Sequence, residues 1–273
     1  MKSTTTTVVA DNPAMVAILS NQRKVILDAI RAMYTDVAAS PEKEFHFPTG
    51  RKACEFVGYP ASQLDSIPAT AVESFAGVGY PFAAGVIRAG ETVLDIGSGS
   101  GTDVLIASRL VGRDGRVIGL DLTEAMRDKL RANASVAGAG NVEVLEGNVE
   151  EIPLPDASID VVTSNGVLNL VPDKAKAFRE IARVLKPSGR LQLADIVVGT
   201  LPSDACRAQP ELWAECIVGA TREDDYVRML RDAGFARVEM LKQLDYFSAS
   251  GSAETRKVAG SFNAHTIVLR ASK

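Results

Sequence analysis

Cysteine is scarce in this 273-residue chain: Cys54, Cys206 and Cys216 are the whole complement. Their wide separation excludes a disulfide scaffold and a paired-cysteine metal motif, and such sparing use suits a reducing compartment. No run approaches the roughly 18 apolar residues of a membrane span. The start, from Met1 to Met15, also lacks the long apolar stretch of a secretory signal. These absences point to the cytoplasm and away from the membrane. A basic excess is missing too: 30 Lys and Arg stand against 34 Asp and Glu, a net charge of −4 with a pI near 5.4. Nucleic acid is excluded as a partner on this count, because phosphate binding needs clustered cations. What is present is an ordinary globular composition, 46% hydrophobic and 23% charged, which rules out wholesale disorder. At about 150 residues per domain the length allows one large domain with extensions.

The polar, Thr-rich first dozen residues are expected to be poorly ordered. Val25, Ile26, Ala29, Ile30 and Met33 then recur at helical spacing and predict an amphipathic helix over about 18–37. Pro41, Pro48, Pro60 and Pro68 divide the next stretch into short helical pieces, read as an extension wrapped on the main body. From Glu91 the pattern turns regular. Strand-like runs TVLDI (92–96), RVIGLD (116–121), VEVLEG (142–147), IDVVTSN (159–165) and RLQLADIVV (190–198) alternate with helix candidates at 102–111, 123–137 and 173–186. The last of these is expected to stop at Lys186-Pro187-Ser188-Gly189. Such alternation implies a parallel sheet covered on both faces. A helical stretch over 210–233 follows. Two further runs, 236–244 and 264–271, are joined by a Ser/Gly-rich loop and can pair antiparallel at the sheet edge.

The most informative segment is Val93-Leu94-Asp95-Ile96-Gly97-Ser98-Gly99-Ser100-Gly101, a buried strand running into a glycine loop and then a helix. Open α/β sheets bind ligands at the carboxyl ends of their strands, and glycines there admit a ligand close to the backbone. The spacing is GxGxG, unlike the GxGxxG dinucleotide fingerprint, and no Gly-Lys-Ser/Thr follows to hold a nucleoside triphosphate. Asp95 precedes the loop, and Asp121 closes the next strand, placed to accept from two ribose hydroxyls. Either aspartate alone reads equally well as a capping or turn residue. Together around GxGxG they suit a ligand with a ribose and a cationic amino-acid tail but no phosphate. S-adenosylmethionine meets that description. Asn148, with the backbone at Val149 and Glu150, is placed to read the adenine edge, and the fourth strand ends at Ser164-Asn165. The candidate cofactor residues are Asp95, Gly97, Ser98, Gly99, Gly101, Asp121, Leu122, Asn148, Val149, Glu150 and Asn165.

On these motifs, residues 75–271 resemble the class I methyltransferases. The resemblance implies an α/β, Rossmann-like fold with a seven-stranded sheet of order 3-2-1-4-5-7-6, strand 7 antiparallel. It divides the chain into an N-terminal helical extension or lid (1–70) and a methyltransferase domain (71–273). Within the class, the sequence is most similar to arsenite methyltransferases at Phe75–Pro81, Val161–Leu170, Pro172–Lys174 and Trp213–Ala220. That family carries three cysteines in these stretches, at positions where this chain has Val78, Gly166 and Cys216. One thiolate cannot enclose As(III), a soft ion selected by thiolates, so no metal site is expected unless Cys216 finds partners in Cys54 and Cys206. The loss leaves a roomier, more apolar pocket suited to a small organic acceptor. Three readings follow: methyl transfer to a small molecule, methyl transfer to arsenite or another soft acceptor through Cys216, and a non-catalytic S-adenosylmethionine-binding regulator. The catalytic candidates are Cys216 and, as a general base, His46. The wrapped N-terminal segment, with Tyr34, Phe45, Phe47 and Tyr59, can form a lid that excludes water; ordinary core packing explains the same aromatics.

Overall fold

A computed structural model of the chain describes residues 13–203, 206, 213 and 216–273, with side chains from residue 23 onward. The Thr-rich start lies outside the described residues. The sheet is built from β1 (Thr92–Ile96), β2 (Arg116–Asp121), β3 (Val142–Glu146), β4 (Ile159–Asn165), β5 (Leu185–Val198), β6 (Arg237–Leu244) and β7 (His265–Ser272). Their spatial order is β3-β2-β1-β4-β5-β7-β6. The first five run parallel, and β7 lies antiparallel to both neighbours. A two-residue strand, Thr221–Arg222, adds to the end of β5. The fold is thus the Rossmann-like sheet that the sequence implies.

The period of two along a strand sends alternate side chains to opposite faces, and two buried clusters result. Leu94, Ile118, Val162 and Leu193 meet Phe178 and Ile181 of α5 (Lys174–Val184) and Tyr226 and Leu230 of α6 (Glu223–Asp232) on one face. Val93, Val117, Val161 and Val268 point to the other. There they meet α3 (Thr102–Val111), Met126 and Leu130 of α4 (Glu124–Val136), and the N-terminal residues Val37, Val57, Tyr59 and Phe75. Asp95, Asp121 and Asn165 share the parity of Val93, Val117 and Val161, so they lie on the face that the N-terminal segment covers.

That segment opens with α1 (Pro13–Ala39), longer than its periodicity indicates, and continues through α2 (Gly50–Val57) and two single turns at 61–64 and 69–72. It is tied down by side chain to backbone bonds: Ser74 Oγ donates to Val37 O (3.0 Å), and Ser100 and Thr102 hydroxyls both donate to Ala71 O (2.6 and 2.8 Å). Lys129 Nζ on α4 reaches Ala38 O at 3.1 Å. Among the described residues, no helix is long and apolar enough to cross a membrane.

Three expectations are corrected. The helical stretch expected over 210–233 is interrupted: Trp213 is helical, 216–222 are turn and a short strand, and a helix then starts at Glu223, where Glu223, Asp224 and Asp225 fill a first turn that the helix dipole favours for acids; 210–212 and 214–215 lie outside the described residues. The Lys186–Gly189 terminator belongs to β5, which begins at Leu185 and shifts register between Ile159 and Val161. The Ser/Gly-rich loop between the last two strands holds a helix, α7 (Ala253–Phe262), capped by Ser252 Oγ accepting from Thr255 N–H and closed by left-handed Asn263.

Candidate functional site

A cavity opens at the carboxyl ends of β1, β2 and β4, beneath α1. The glycine loop forms its floor. Gly97, Gly99 and Gly101 all have positive φ, at 68°, 51° and 102°. At Gly97 a side chain is disfavoured on a second ground: a Cβ there would stand 2.2 Å from Val167 Cγ2, which would have to move. The loop is pulled against β2 by Gly97 N–H and Ser98 N–H, which both donate to Leu120 O at 2.8 and 3.1 Å.

Asp121 braces the same loop from the other side. Its Oδ2 accepts Gly99 N–H and its Oδ1 accepts Thr123 N–H, each at 2.8 Å. The capping and ligand-binding interpretations therefore coexist, since a carboxylate offers about four acceptor sites. Burial pushes Asp121 up, and the two N–H groups and Arg127 oppose the shift. Asp95 is 2% exposed and lines the cavity, and no hydrogen bond or ion pair reaches its carboxylate among the described residues. Burial first, then the charges of Asp103 and Asp121, hold it well above the usual carboxylate range.

Most of the cofactor candidates named from the sequence converge here: Asp95, Gly97, Ser98, Gly99, Asp121, Leu122, Asn148, Val149 and Asn165 all line the cavity. Gly101 and Glu150 stand behind it. Gly101 starts α3 with its backbone against Leu130. Glu150, 1% exposed, accepts Asp173 N–H at 2.7 Å and pairs with Arg23 of α1. Two side chains are more committed than the motif suggests. Asn148 Oδ1 accepts Glu150 N–H at 3.0 Å and its Nδ2 donates to the Glu150 carboxylate. Asn165 Oδ1 accepts Val78 and Gly79 N–H (2.8 and 3.2 Å), while Nδ2 faces Gly79 O, Tyr59 and Asp103. Asn165 thus ties the 77–79 segment to the end of β4.

The catalytic candidates do not gather in the cavity. His46 sets its ring edge-on to Phe47 at 4.6 Å, and its carbonyl accepts Ser250 Oγ at 2.7 Å, away from the lining. Cys216 is buried and left-handed, at φ 70°, and its thiol lies against the enclosed hydroxyl of Tyr34. Burial, then Cys216 and Tyr246, pushes that phenol well up. Cys54 is buried beside Asp103, and burial followed by that charge pushes its thiol up and keeps it protonated. Cys206 sits by Ser203, 3.3 Å from its Oγ. Cys54 thus neighbours Asp103, Cys206 neighbours Ser203, and Cys216 neighbours Tyr34. Among the described residues no cluster of three His, Cys, Asp or Glu can hold a metal ion. Val78 and Gly166, two positions of the arsenite-type thiols, do converge: a Cβ on Gly166 would lie 3.1 Å from Val78 Cγ1. There the space holds an isopropyl group.

The sequence does not single out Leu27, Ile30 and Asp103, nor give Tyr34 more than an aromatic-lid role; all four line the cavity. The first three carry signals that read as ordinary: an apolar helix stripe and an acid in a first helical turn. The aromatic face splits in two. Tyr34 and Phe45 stack on Phe47 (6.2 and 5.7 Å), whereas Tyr59 packs with Phe75, Tyr80 and Phe82.

Comparison with known proteins adds four findings. A methyltransferase domain family matches residues 87–234. An arsenite methyltransferase of Halobacterium salinarum is 40% identical over 192 residues, 70% of this chain and 49% of that one; the chain thus spans about half the length of such relatives. The ubiquinone/menaquinone biosynthesis C-methyltransferase UbiE of Escherichia coli is 34% identical over 178 residues, covering 56% of this chain and 69% of that protein. Among solved structures, an arsenic(III) S-adenosylmethionine methyltransferase from Chlamydomonas reinhardtii superposes with a TM-score of 0.62 at 30% identity, over 82% of this chain and 74% of that chain.

Proposed function

The chain belongs to the methyltransferase domain family, and on that premise we propose that it methylates a small organic acceptor from S-adenosylmethionine. One observation carries the cofactor reading. The cavity brings the glycine loop together with Asp95, Asp103 and Asp121, and no Lys, Arg or His lines it among the described residues. A pyrophosphate would be repelled there; a cationic amino-acid tail supplies the positive charge that Asp95 finds nowhere else among them. The residues present therefore fit S-adenosylmethionine, which when bound supplies an electrophilic methyl group on a sulfonium.

In this reading Asp121 accepts from the ribose hydroxyls, Leu122 and Val149 border the adenine, and the backbone of the 97–99 loop approaches the tail. Leu27, Ile30, Gly166, Val167 and Leu170 form an apolar chamber for the acceptor. Their part is to hold it in line with the methyl group, since orientation supplies much of the rate in such displacements. Residues 71–273 act as the catalytic body and residues 1–70 as a lid that excludes water, supported by the three α1 side chains in the cavity wall. The acidic balance argues against a nucleic-acid acceptor, and the sparing use of cysteine favours the cytoplasm.

A second reading, arsenite as acceptor, is favoured by the relatives that bear that name. The geometry supports it less, because Val78 lies over Gly166 and Cys216 faces Tyr34. Isothermal titration with S-adenosylmethionine and S-adenosylhomocysteine tests the cofactor; no heat with either would sink the proposal. Turnover assayed across arsenite, thiols, phenols and carbon acids then separates the acceptors. Arsenite-dependent turnover lost in Cys216→Ser would replace the organic reading with the metalloid one.

A further inference from the structure

The cavity holds more negative charge than its motif requires. Asp103 comes from the first turn of α3, is 6% exposed, and lines the same space as Asp95 and Asp121. Position separates the three. Asp121 closes β2, on the ribose side. Asp95 is the penultimate residue of β1, and Asp103 is gripped by Asn165 at the end of β4, so these two stand on the side left for the amino-acid and sulfonium part of the cofactor.

Asp103 is fixed by neutral groups. The Tyr59 hydroxyl donates to Oδ1 at 2.5 Å and Asn165 Nδ2 to Oδ2 at 3.2 Å. Phe75 and Tyr80 pack edge-on against Tyr59, at 5.2 and 4.8 Å between ring centroids, and hold its ring in place. Cys54 of α2, kept protonated by burial, adds no charge, and Arg51 of α2 is paired with Glu55 and Asp65 outside. Neutral donors position a buried carboxylate without neutralising it, and an uncompensated buried charge is costly. Among the described residues no Lys, Arg or His lines the cavity, so the compensating cation is left to the ligand.

We propose that Asp103, acting with Asp95, makes this end of the cavity select by charge, holding the sulfonium cofactor and gripping its neutral thioether product less. The inference rests on the S-adenosylmethionine reading above. That cofactor carries an ammonium, a sulfonium and a carboxylate. In S-adenosylhomocysteine the sulfur has regained its lone pair, and the net positive charge is gone. Product release then follows from the same chemistry that consumes the cofactor.

The pH dependence follows from the same groups. Burial pushes Asp103 up to about 6, against the lowering effect of the Tyr59 and Asn165 hydrogen bonds. Asp95 on β1 and Asp121 on β2 are the like charges nearby, and Tyr59, Asn165 and Cys54 are neutral. A cationic ligand favours the ionised form of Asp103, so its affinity rises as pH increases through about 6; the product gains less.

The test is isothermal titration of the full chain with three ligands: S-adenosylmethionine, S-adenosylhomocysteine, and sinefungin, whose amine puts a cation where the methylsulfonium stood. Asp103→Asn is expected to weaken the two cationic ligands about tenfold and the thioether less than about threefold. Tyr59→Phe keeps the carboxylate but removes a donor that favours its ionised form. It is expected to weaken the cationic ligands more at pH 6 than at pH 8, and it serves where the Asn variant does not fold. Equal losses for all three ligands, or none, overturn the proposal. If the wild-type chain binds none of them, the cofactor reading falls first and this inference with it.

Discussion

At the scale of single residues, the site is decided by where backbone and charge leave no substitute. Gly97 is the sharpest case: its φ of 68° and the 2.2 Å approach to Val167 act together. Gly97→Ala is expected to cost about 2–4 kcal/mol of stability, from left-handed strain plus forced repacking, and to reduce S-adenosylmethionine binding in step. Thermal melts and titration check both. A stable variant with normal affinity would show that the loop has room that the geometry denies. Asp121→Asn keeps the size of the side chain but replaces one acceptor oxygen by a donor. It is expected to weaken cofactor binding about tenfold or more, through lost charge-assisted hydrogen bonds, and a titration within twofold of wild type would remove Asp121 from the site. Glycine spacing and flanking acids make these positions legible in the sequence alone. Asp103 is not legible there, because an acid in a first helical turn is explained by the helix dipole alone. Only the fold brings Tyr59 and Asn165, 44 and 62 residues away, onto its two oxygens. Asn148 and Asn165 show the converse: residue type and position mark them, yet their amides are largely committed to local hydrogen bonds.

Among elements, the alternation of strands and helices from β1 to α5 is readable because each piece is periodic and short. The failures fall where local signals compete. Pro187 and Gly189 look like a helix stop, yet the sheet absorbs them as an irregularity in β5. The Ser/Gly-rich run hides α7, whose start depends on the Ser252 cap. The role of α1 in the site is legible only as an apolar stripe, since nothing in 18–37 says which surface that stripe meets. The structure seats Leu27, Ile30 and Tyr34 on the cavity and Arg23 on Glu150. Glu150 is 1% exposed while Arg23 is about one-third exposed, at 34%, so the pair gains more from covering a buried anion than from Coulomb attraction in water. Arg23→Met should therefore cost on the order of 1–3 kcal/mol, below the range for a fully buried pair. Adding Glu150→Gln should return part of that loss, because the stranded charge is gone. A double-mutant cycle by thermal melts reads the coupling. Additive losses would mean that α1 is not latched at this point.

For the whole molecule, the pH at which the fold is firmest should lie below neutrality and move when the cofactor binds. Four buried carboxylates are pushed up by desolvation: Asp95, Asp103 and Asp121 around the cavity, and Asp195 on β5. Asp103 and Asp195 both reach about 6, against about 3.9 in an unfolded chain. Between those values the folded state binds more protons than the unfolded one, so stability falls as pH rises from about 4 through 6. Asp160 and Glu180 work oppositely: both are lowered, so their contribution is present above the unfolded value and is lost as pH falls through the folded one. Both are partly exposed and paired with Lys186 and Arg183, which solvent screens. The buried carboxylates should therefore dominate above pH 5, giving a ligand-free chain that melts higher near pH 5 than at pH 8. A cation in the cavity compensates the three carboxylates there but not Asp195, which lies with Tyr226 on the opposite face. Melting curves from pH 4.5 to 8 should then show a larger rise in Tm with S-adenosylmethionine at pH 8 than at pH 5. Asp195→Asn should flatten the ligand-free profile and leave the ligand-induced rise unchanged, whereas Asp103→Asn should reduce both. A ligand-induced rise that is the same at pH 5 and pH 8 would uncouple the cavity's charge from the fold.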